Sequence, residues 1–191
     1  MLTPTILDEL LHRVGDILAD RGESMEVVAI GGGSLLLLGL IKRPTRDLDL
    51  VAVVEDGKLR RADPMPPALK AAVDDVARLK GIDPHWMNAA PSSLVDLGLP
   101  EGFMQRTDRR AYGALTLYLA TRVDQIAFKL YAAVDQGPDS KHVDDLRLLA
   151  PTSAELLDAA RWTRTHDPSP GFREILVQVL AHFGVDDDGR L

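Results

Sequence analysis

Residues 27–54 constrain this chain more than any other stretch. The β-branched run Val27-Val28-Ala29-Ile30 leads into Gly31-Gly32-Gly33-Ser34, then into Leu35-Leu36-Leu37-Leu38. A connection containing Pro44-Thr45-Arg46 then enters Asp47-Leu48-Asp49-Leu50. The order reads as strand, glycine turn, helix, loop and strand. Periodicity alone does not separate a buried helix from a strand in the leucine run; Ser34, read as a cap after three glycines, favours helix. Side chains alternate along a strand, so Asp47 and Asp49 share one face and Leu48 and Leu50 the other.

Each part has a chemistry and a plainer explanation. Two carboxylates on one strand face suit Mg²⁺, which takes one or two carboxylates plus phosphates and waters. Metal held there can activate an attacking oxygen and steady a leaving one. Backbone N–H groups of a glycine turn that opens a helix attract phosphate. The plainer explanations are two solvated acids on an edge strand and a tight strand-to-helix connection. Both familiar phosphate loops fail: Leu36 occupies the last position of G-x-G-x-x-G counted from Gly31, and no lysine precedes Ser34 as the Walker pattern requires.

Composition narrows the field. The chain has 191 residues, 46% of them apolar, enough for a real core, and with aromatics at 5% that core must be mostly aliphatic. It contains no cysteine, which excludes disulfides, thiolate catalysis and cysteine-bound zinc. The net charge of −7 weighs against broad nucleic-acid coating, although Lys42, Arg43 and Arg46, Lys58, Arg60 and Arg61, and Arg106, Arg109 and Arg110 form local basic clusters. Solvated surface is the plainer account of each cluster. The amphipathic N-terminal segment reads as neither signal peptide nor membrane span, so a soluble, cytoplasmic protein with no membrane partner is expected.

Helical spacing predicts helices over 4–19, about 66–79, 123–136, 139–149, from the Thr152 capping box to about 164, and over 172–183. Strands are predicted over 26–30, 47–54 and 114–120, with Glu55-Asp56-Gly57 as a turn. Residues 82–113, rich in proline and glycine, read as loops and short elements, with Trp86 in the core. The tail Asp186-Asp187-Asp188-Gly189 is expected to fray. A boundary near Thr121 separates an α/β half, residues 1–121, from a helical half, residues 122–191.

The ordered blocks resemble a known family. The fragment Ile30-Gly31-Gly32-Gly33-Ser34-Leu35, followed by Arg43-Pro44-Thr45-Arg46-Asp47-Leu48-Asp49-Leu50, is similar to the signature of the nucleotidyltransferase fold of the DNA polymerase β superfamily. It most resembles the AbiEii/MenT-like branch, the nucleotidyltransferase toxins of abortive-infection and toxin–antitoxin systems. Downstream, Asp124-Gln125-Ile126-Ala127-Phe128-Lys129-Leu130-Tyr131-Ala132-Ala133 resembles that branch's lysine-bearing helix, and Lys141-His142-Val143-Asp144-Asp145-Leu146 its R-D-x-x-D-L segment. Here Lys141-His142 replaces Arg-Asp, which leaves Asp144 as an alternative to Asp145.

The resemblance implies a mixed α/β (α+β) core with a helical C-terminal subdomain. It also implies Mg²⁺-dependent transfer of a nucleoside monophosphate from an NTP to an acceptor hydroxyl. The implied acceptor is RNA, a tRNA 3′ end among the candidates, and the implied partner an antitoxin protein. Asp47 and Asp49 would bind Mg²⁺; Gly32, Gly33, Ser34 and Arg46 would bind nucleotide; Lys129 would neutralise triphosphate charge and Asp145 complete the site or steer the acceptor. A third metal carboxylate, if there is one, is Asp124, Asp144 or Asp145. In the family, the hydroxyl at the position of Thr45 is a place where phosphorylation can inactivate.

Read without the family, Lys129 lies with Gln125 and Gln136 on a polar, solvated helix face, and Asp145 forms an i,i+4 surface pair with Lys141. Alternatives to the RNA reading are a small-molecule or protein acceptor, a non-catalytic nucleotide- or partner-binding module, and a coincidental D-L-D. The five histidines show no ligand spacing.

Overall fold

The computed structural model describes residues 1–186 and 189. The expected fraying of the tail therefore falls partly on Asp187 and Asp188, outside the described residues. The chain divides into two compact units, Met1–Ala120 and Thr121–Leu191. It is a mixed α/β protein built on one mixed sheet.

The first unit opens with α1 (Pro4–Asp20), where the Thr3 hydroxyl accepts from the Ile6 N–H at 3.3 Å and Pro4 sits in the first turn. Leu7, Leu10, Leu11, Val14 and Leu18 form its buried stripe. Strand β1 (Met25–Ile30) follows, then α2 (Gly31–Leu37), β2 (Leu48–Glu55) and β3 (Lys58–Arg61). Helix α3 (Pro67–Lys80) ends at the left-handed Gly81. Strand β4 (Met87–Asn88), a 3₁₀ turn (Ala90–Ser93), α4 (Leu94–Leu97) and α5 (Phe103–Arg106) fill the proline-rich middle. The hairpin of β5 (Asp108–Tyr112) and β6 (Leu115–Leu119) closes the unit.

The sheet runs β3-β2-β1-β6-β5, with β4 also paired to β2. Strands β1 and β2 are antiparallel, β1 and β6 parallel. One edge of β2 meets β1. The other is shared: β3 pairs with its second half, from Ala52 to Glu55, and β4 with Leu48 and Asp49. Leu48, Leu50, Val51 and Ala52 are fully buried with Val27, Val28 and Ala29 of β1, which makes the β1–β2 pair the centre of this unit's core. Trp86 is core, as expected, its indole N–H donating to the Val73 carbonyl at 3.4 Å. Helix α1 lies close on the hairpin: a Cβ on Gly15 would stand 1.6 Å from the Tyr112 carbonyl oxygen.

Two strands were hidden by charge. Lys58-Leu59-Arg60-Arg61 and Asp108-Arg109-Arg110-Ala111-Tyr112 read as basic surface clusters, but they are the two edge strands of the sheet. Charged residues on an edge discourage pairing with another chain. Arg60 pairs with Glu55 at 2.9 Å, Arg61 with Asp96 at 3.1 Å and Arg110 with Asp108 at 3.5 Å.

The second unit is helical: α6 (Arg122–Gln136), α7 (Lys141–Leu149), α8 (Ser153–His166) and α9 (Pro170–Ala181). Helix α6 packs on α7, α8 and α9. The capping box at α8 forms, with Thr152 N–H donating to Glu155 Oε2 at 2.8 Å and Glu155 N–H to Thr152 Oγ1 at 3.2 Å. The last helix starts two residues earlier than its pattern suggested, because Ser169 caps it by accepting from the Phe172 N–H at 3.2 Å. Arg122 joins three elements, donating to the Leu149 and Ala150 carbonyls, both at 2.8 Å, and forking onto Glu155 at 2.5 and 3.2 Å. Among the described residues, no helix is long and apolar enough to cross a membrane.

Candidate active site

The glycine turn and the aspartate strand meet directly. Ile30, the last residue of β1, is the register partner of Asp49 on β2. Gly31 takes φ of +75°, a left-handed value that favours glycine, and turns the chain into α2. A Cβ on Gly31 would lie 2.6 Å from Asp49 Oδ2. A Cβ on Gly32 would lie 3.1 Å from Thr45 Oγ1, and one on Gly33 2.8 Å from the Asp47 carbonyl oxygen. Each glycine in the triplet thus clears one residue of the segment that carries the carboxylates.

That segment is fixed at both ends. Leu2 and Thr45 form a two-bond bridge, Leu2 N–H to Thr45 O at 2.7 Å and Thr45 N–H to Leu2 O at 3.1 Å. On the other side, Leu48 N–H donates to the Trp86 carbonyl at 2.7 Å. Thr45 is buried, so its hydroxyl faces the glycine turn rather than open water. Asp47 and Asp49 are half-buried between fully buried leucines, the alternation expected of a strand, although β2 proper begins at Leu48 rather than Asp47.

Ser34 is not the cap that its position suggested. The helix begins at Gly31 with Ile30 as its cap residue, which places Ser34 in the first turn, fully buried. The chain passes so close to Asp49 and Asp47 that no side chain fits at Gly31 or Gly33, and at Gly32 a Cβ would press on the Thr45 hydroxyl. Gly39, at φ +71°, ends this helix, with Gly39 N–H bonded to Leu36 O at 3.1 Å and Leu40 N–H to Leu35 O at 3.0 Å.

Asn88 went unnoticed in the sequence. It is the register partner of Asp49 on the two-residue β4 and donates from Nδ2 to Asp49 Oδ1 at 3.2 Å. A strand of two residues carries no periodicity, and Asn88 lies in a proline-broken stretch, so no pattern announces it.

Lys42, Arg43 and Arg46 are exposed in the connection that leads to Asp47. A cavity of about 790 Å³ lies at the opposite end of the β1–β2 pair, lined by Ser24, Glu26, Glu55 and Tyr118 among others. Its carboxylates disfavour a polyphosphate, so size alone does not make it the nucleotide site.

In the helical unit, Lys129 and Asp145 meet each other. Their Nζ–Oδ2 separation is 2.7 Å, and their side chains are 7% and 0% exposed. Two plain readings of the sequence are corrected here. Lys129 is not a solvated lysine, because α7 covers that face of α6 and buries Gln125 with it. Asp145 makes no surface pair with Lys141, because it points inward, while its neighbour Asp144 points out and pairs with Arg147 at 2.8 Å. Burying two charges costs several kcal/mol per ion before their attraction offsets it, so such a pair is weak evidence of stabilisation and a marker of function to be tested. Asp124 is also buried and accepts from the Thr121 hydroxyl at 3.0 Å, at the start of α6.

The residues present fit a magnesium ion. Among the described residues no three His, Cys, Asp or Glu side chains form a ligand cluster. Mg²⁺ does not need three: one or two carboxylates suffice when phosphate and water complete its shell. Asp49, held by Asn88 and facing the Gly31 turn, would be such a carboxylate, with Asp47 two residues from it.

A strand, a glycine turn into a helix, and an aspartate pair returning on the adjacent antiparallel strand make up a nucleotidyltransferase-like core. The chain belongs to the family described as nucleotidyltransferase of unknown function (DUF6036), whose model matches residues 7–167. No curated protein and no solved structure matches the chain.

Proposed function

We propose that this protein is a Mg²⁺-dependent enzyme that transfers a nucleoside monophosphate from an NTP to an acceptor hydroxyl on RNA. The observation that carries this reading is the approach of Gly31 to Asp49. It leaves backbone beside a carboxylate, the juxtaposition that a metal-bound triphosphate requires. Asp47 and Asp49 would hold Mg²⁺, which, when bound, offsets the charge of the triphosphate. The N–H groups of Gly32 and Gly33, the Ser34 position and Arg46 would hold phosphate oxygens. The acceptor oxygen attacks the α-phosphorus, forming one P–O bond as the bond to pyrophosphate breaks. The electron pair leaves with pyrophosphate, and the hydroxyl proton passes to a carboxylate oxygen of the aspartate pair. Catalysis of this kind is mostly positioning and charge stabilisation.

By resemblance to the AbiEii/MenT-like toxins, Lys129 would neutralise triphosphate charge, Asp145 would complete the site or steer the acceptor, the acceptor would be a tRNA 3′ end and the partner an antitoxin protein. Exposed Lys42 and Arg43 before Asp47 support a polyanionic acceptor. The net charge of −7 favours a second reading, in which the same chemistry acts on a small molecule or a protein side chain.

The test is incubation of the protein with Mg²⁺, each α-³²P-labelled NTP in turn and total RNA, resolved on a denaturing gel. Label in a tRNA-sized band that disappears with Asp49→Ala supports the RNA reading. Label on protein, or in a small product, moves the acceptor to the second reading. No label in any fraction argues against transfer.

A further inference from the structure

Strand β4 sets an amide, not a third acid, against the Asp49 carboxylate. Asn88 is held in one orientation: its Oδ1 accepts the Ala90 N–H at 3.0 Å, which leaves Nδ2 to donate to Asp49 Oδ1 at 3.2 Å. The pairing is built into the sheet, since β4 consists of Met87 and Asn88 alone and its register sets Asn88 beside Asp49. The carboxylate is therefore contacted on both oxygens. Oδ1 takes the amide, and Oδ2 lies against Gly31, within 2.6 Å of where a Cβ would be.

We infer that Asn88 is a positioning residue of the metal site, fixing the orientation of the Asp49 carboxylate through Oδ1 for a divalent cation. This rests on the nucleotidyl-transfer reading. Partners of this kind commonly set metal affinity by tenfold or more, because a ligand that need not be ordered on binding binds more tightly. The choice of amide over carboxylate also matters. An acid at residue 88 would set a carboxylate oxygen about where Nδ2 now lies, close enough to share an ion with Asp49. With asparagine the site keeps a two-carboxylate charge, which suits an ion that arrives with its triphosphate rather than one held permanently.

The test reads metal binding directly. Mn²⁺ is titrated into the protein with and without α,β-methylene analogues of the four NTPs and followed by water-proton relaxation enhancement. Asn88→Ala is expected to weaken binding about tenfold. Combined with Asp49→Asn it should add little to the loss caused by Asp49→Asn alone. Asn88→Asp still accepts from the Ala90 N–H, so it keeps the turn and guards against a variant that fails to fold. It is expected to bind Mn²⁺ without nucleotide severalfold more tightly than the wild type. If Asn88 merely shapes the turn, Asn88→Asp will match the wild type and the loss in Asn88→Ala will add in full to that of Asp49→Asn; either result overturns the inference while leaving nucleotidyl transfer standing. If the wild type shows no enhancement under any condition, the nucleotidyl-transfer reading falls and this inference falls with it.

Discussion

Gly31 and Asp49 sit against each other so closely that a methyl group on the glycine would collide with the carboxylate, 2.6 Å from Oδ2. Gly31→Ala is therefore wrong twice, in backbone at φ +75° and in space. Gly22→Ala provides the control, since Gly22 has φ +70° and nothing within 4 Å of the added carbon. Both variants should lose about 1–2 kcal/mol in urea denaturation from the left-handed backbone. Only Gly31→Ala should lose nucleotidyl transfer, by about a hundredfold or more, as expected when reacting groups shift by an ångström. Equal activity in the two variants would separate Gly31 from the chemistry.

The buried pair of Lys129 and Asp145 makes a prediction about stability that differs from its prediction about activity. Lys129→Met removes the cation paired with the buried Asp145 carboxylate, and should cost about 3–5 kcal/mol. Lys129→Met with Asp145→Leu removes both charges and should recover most of that loss. If Lys129 serves the triphosphate, the double variant is stable and inactive. A stable double variant with wild-type activity would make the pair purely structural. Urea denaturation and the transfer assay, run on the same preparations, decide it.

How much of this was legible in the sequence follows physical lines. The long helices were, because a buried stripe repeats every turn: Leu7, Leu10, Leu11, Val14 and Leu18 in α1 announce themselves. The β1–β2 pair was, because both strands are central and apolar. The edge strands were not, because Arg60 and Arg109 carry surface charge where strand patterns carry valine. The proximity of Gly31 and Asp49 was legible as order along the chain, but its reason was not: the glycines are small chiefly because β2 passes beside them. Lys129 and Asp145 were misread for a general reason. Burial depends on which helix covers a face, and no single helix's periodicity contains its neighbour.

The acid limb of stability should report Glu155. The Arg122 guanidinium and the hydrogen bonds from Thr152 hold its carboxyl down at about 2, against an ordinary value of 4.5. A depressed carboxyl stabilises the fold above its unfolded value, and that contribution disappears as pH falls from about 4.5 towards 2. Glu155→Gln should lower the melting temperature at pH 7 and flatten its fall between pH 5 and about 2. A variant that keeps the wild-type acid slope would mean that other carboxylates set it.

Lys42, exposed in the connection that leads to Asp47, tests the nature of the acceptor. If it meets an RNA phosphate, Lys42→Gln should weaken RNA binding at every sequence and reduce the slope of log K against log salt by about one. With a small-molecule acceptor, neither the wild type nor the variant would show RNA binding that falls steeply with salt.

The central claim is nucleotidyl transfer at the Asp47–Asp49 pair, and paired labelling tests it most directly. The protein and its Asp49→Asn variant are each given Mg²⁺, RNA and the same NTP labelled in parallel at the α- or the γ-phosphate. The account predicts that α label enters the acceptor, that γ label leaves as pyrophosphate, and that Asp49→Asn loses both. Transfer of γ label to the acceptor, or undiminished transfer by Asp49→Asn, would contradict it.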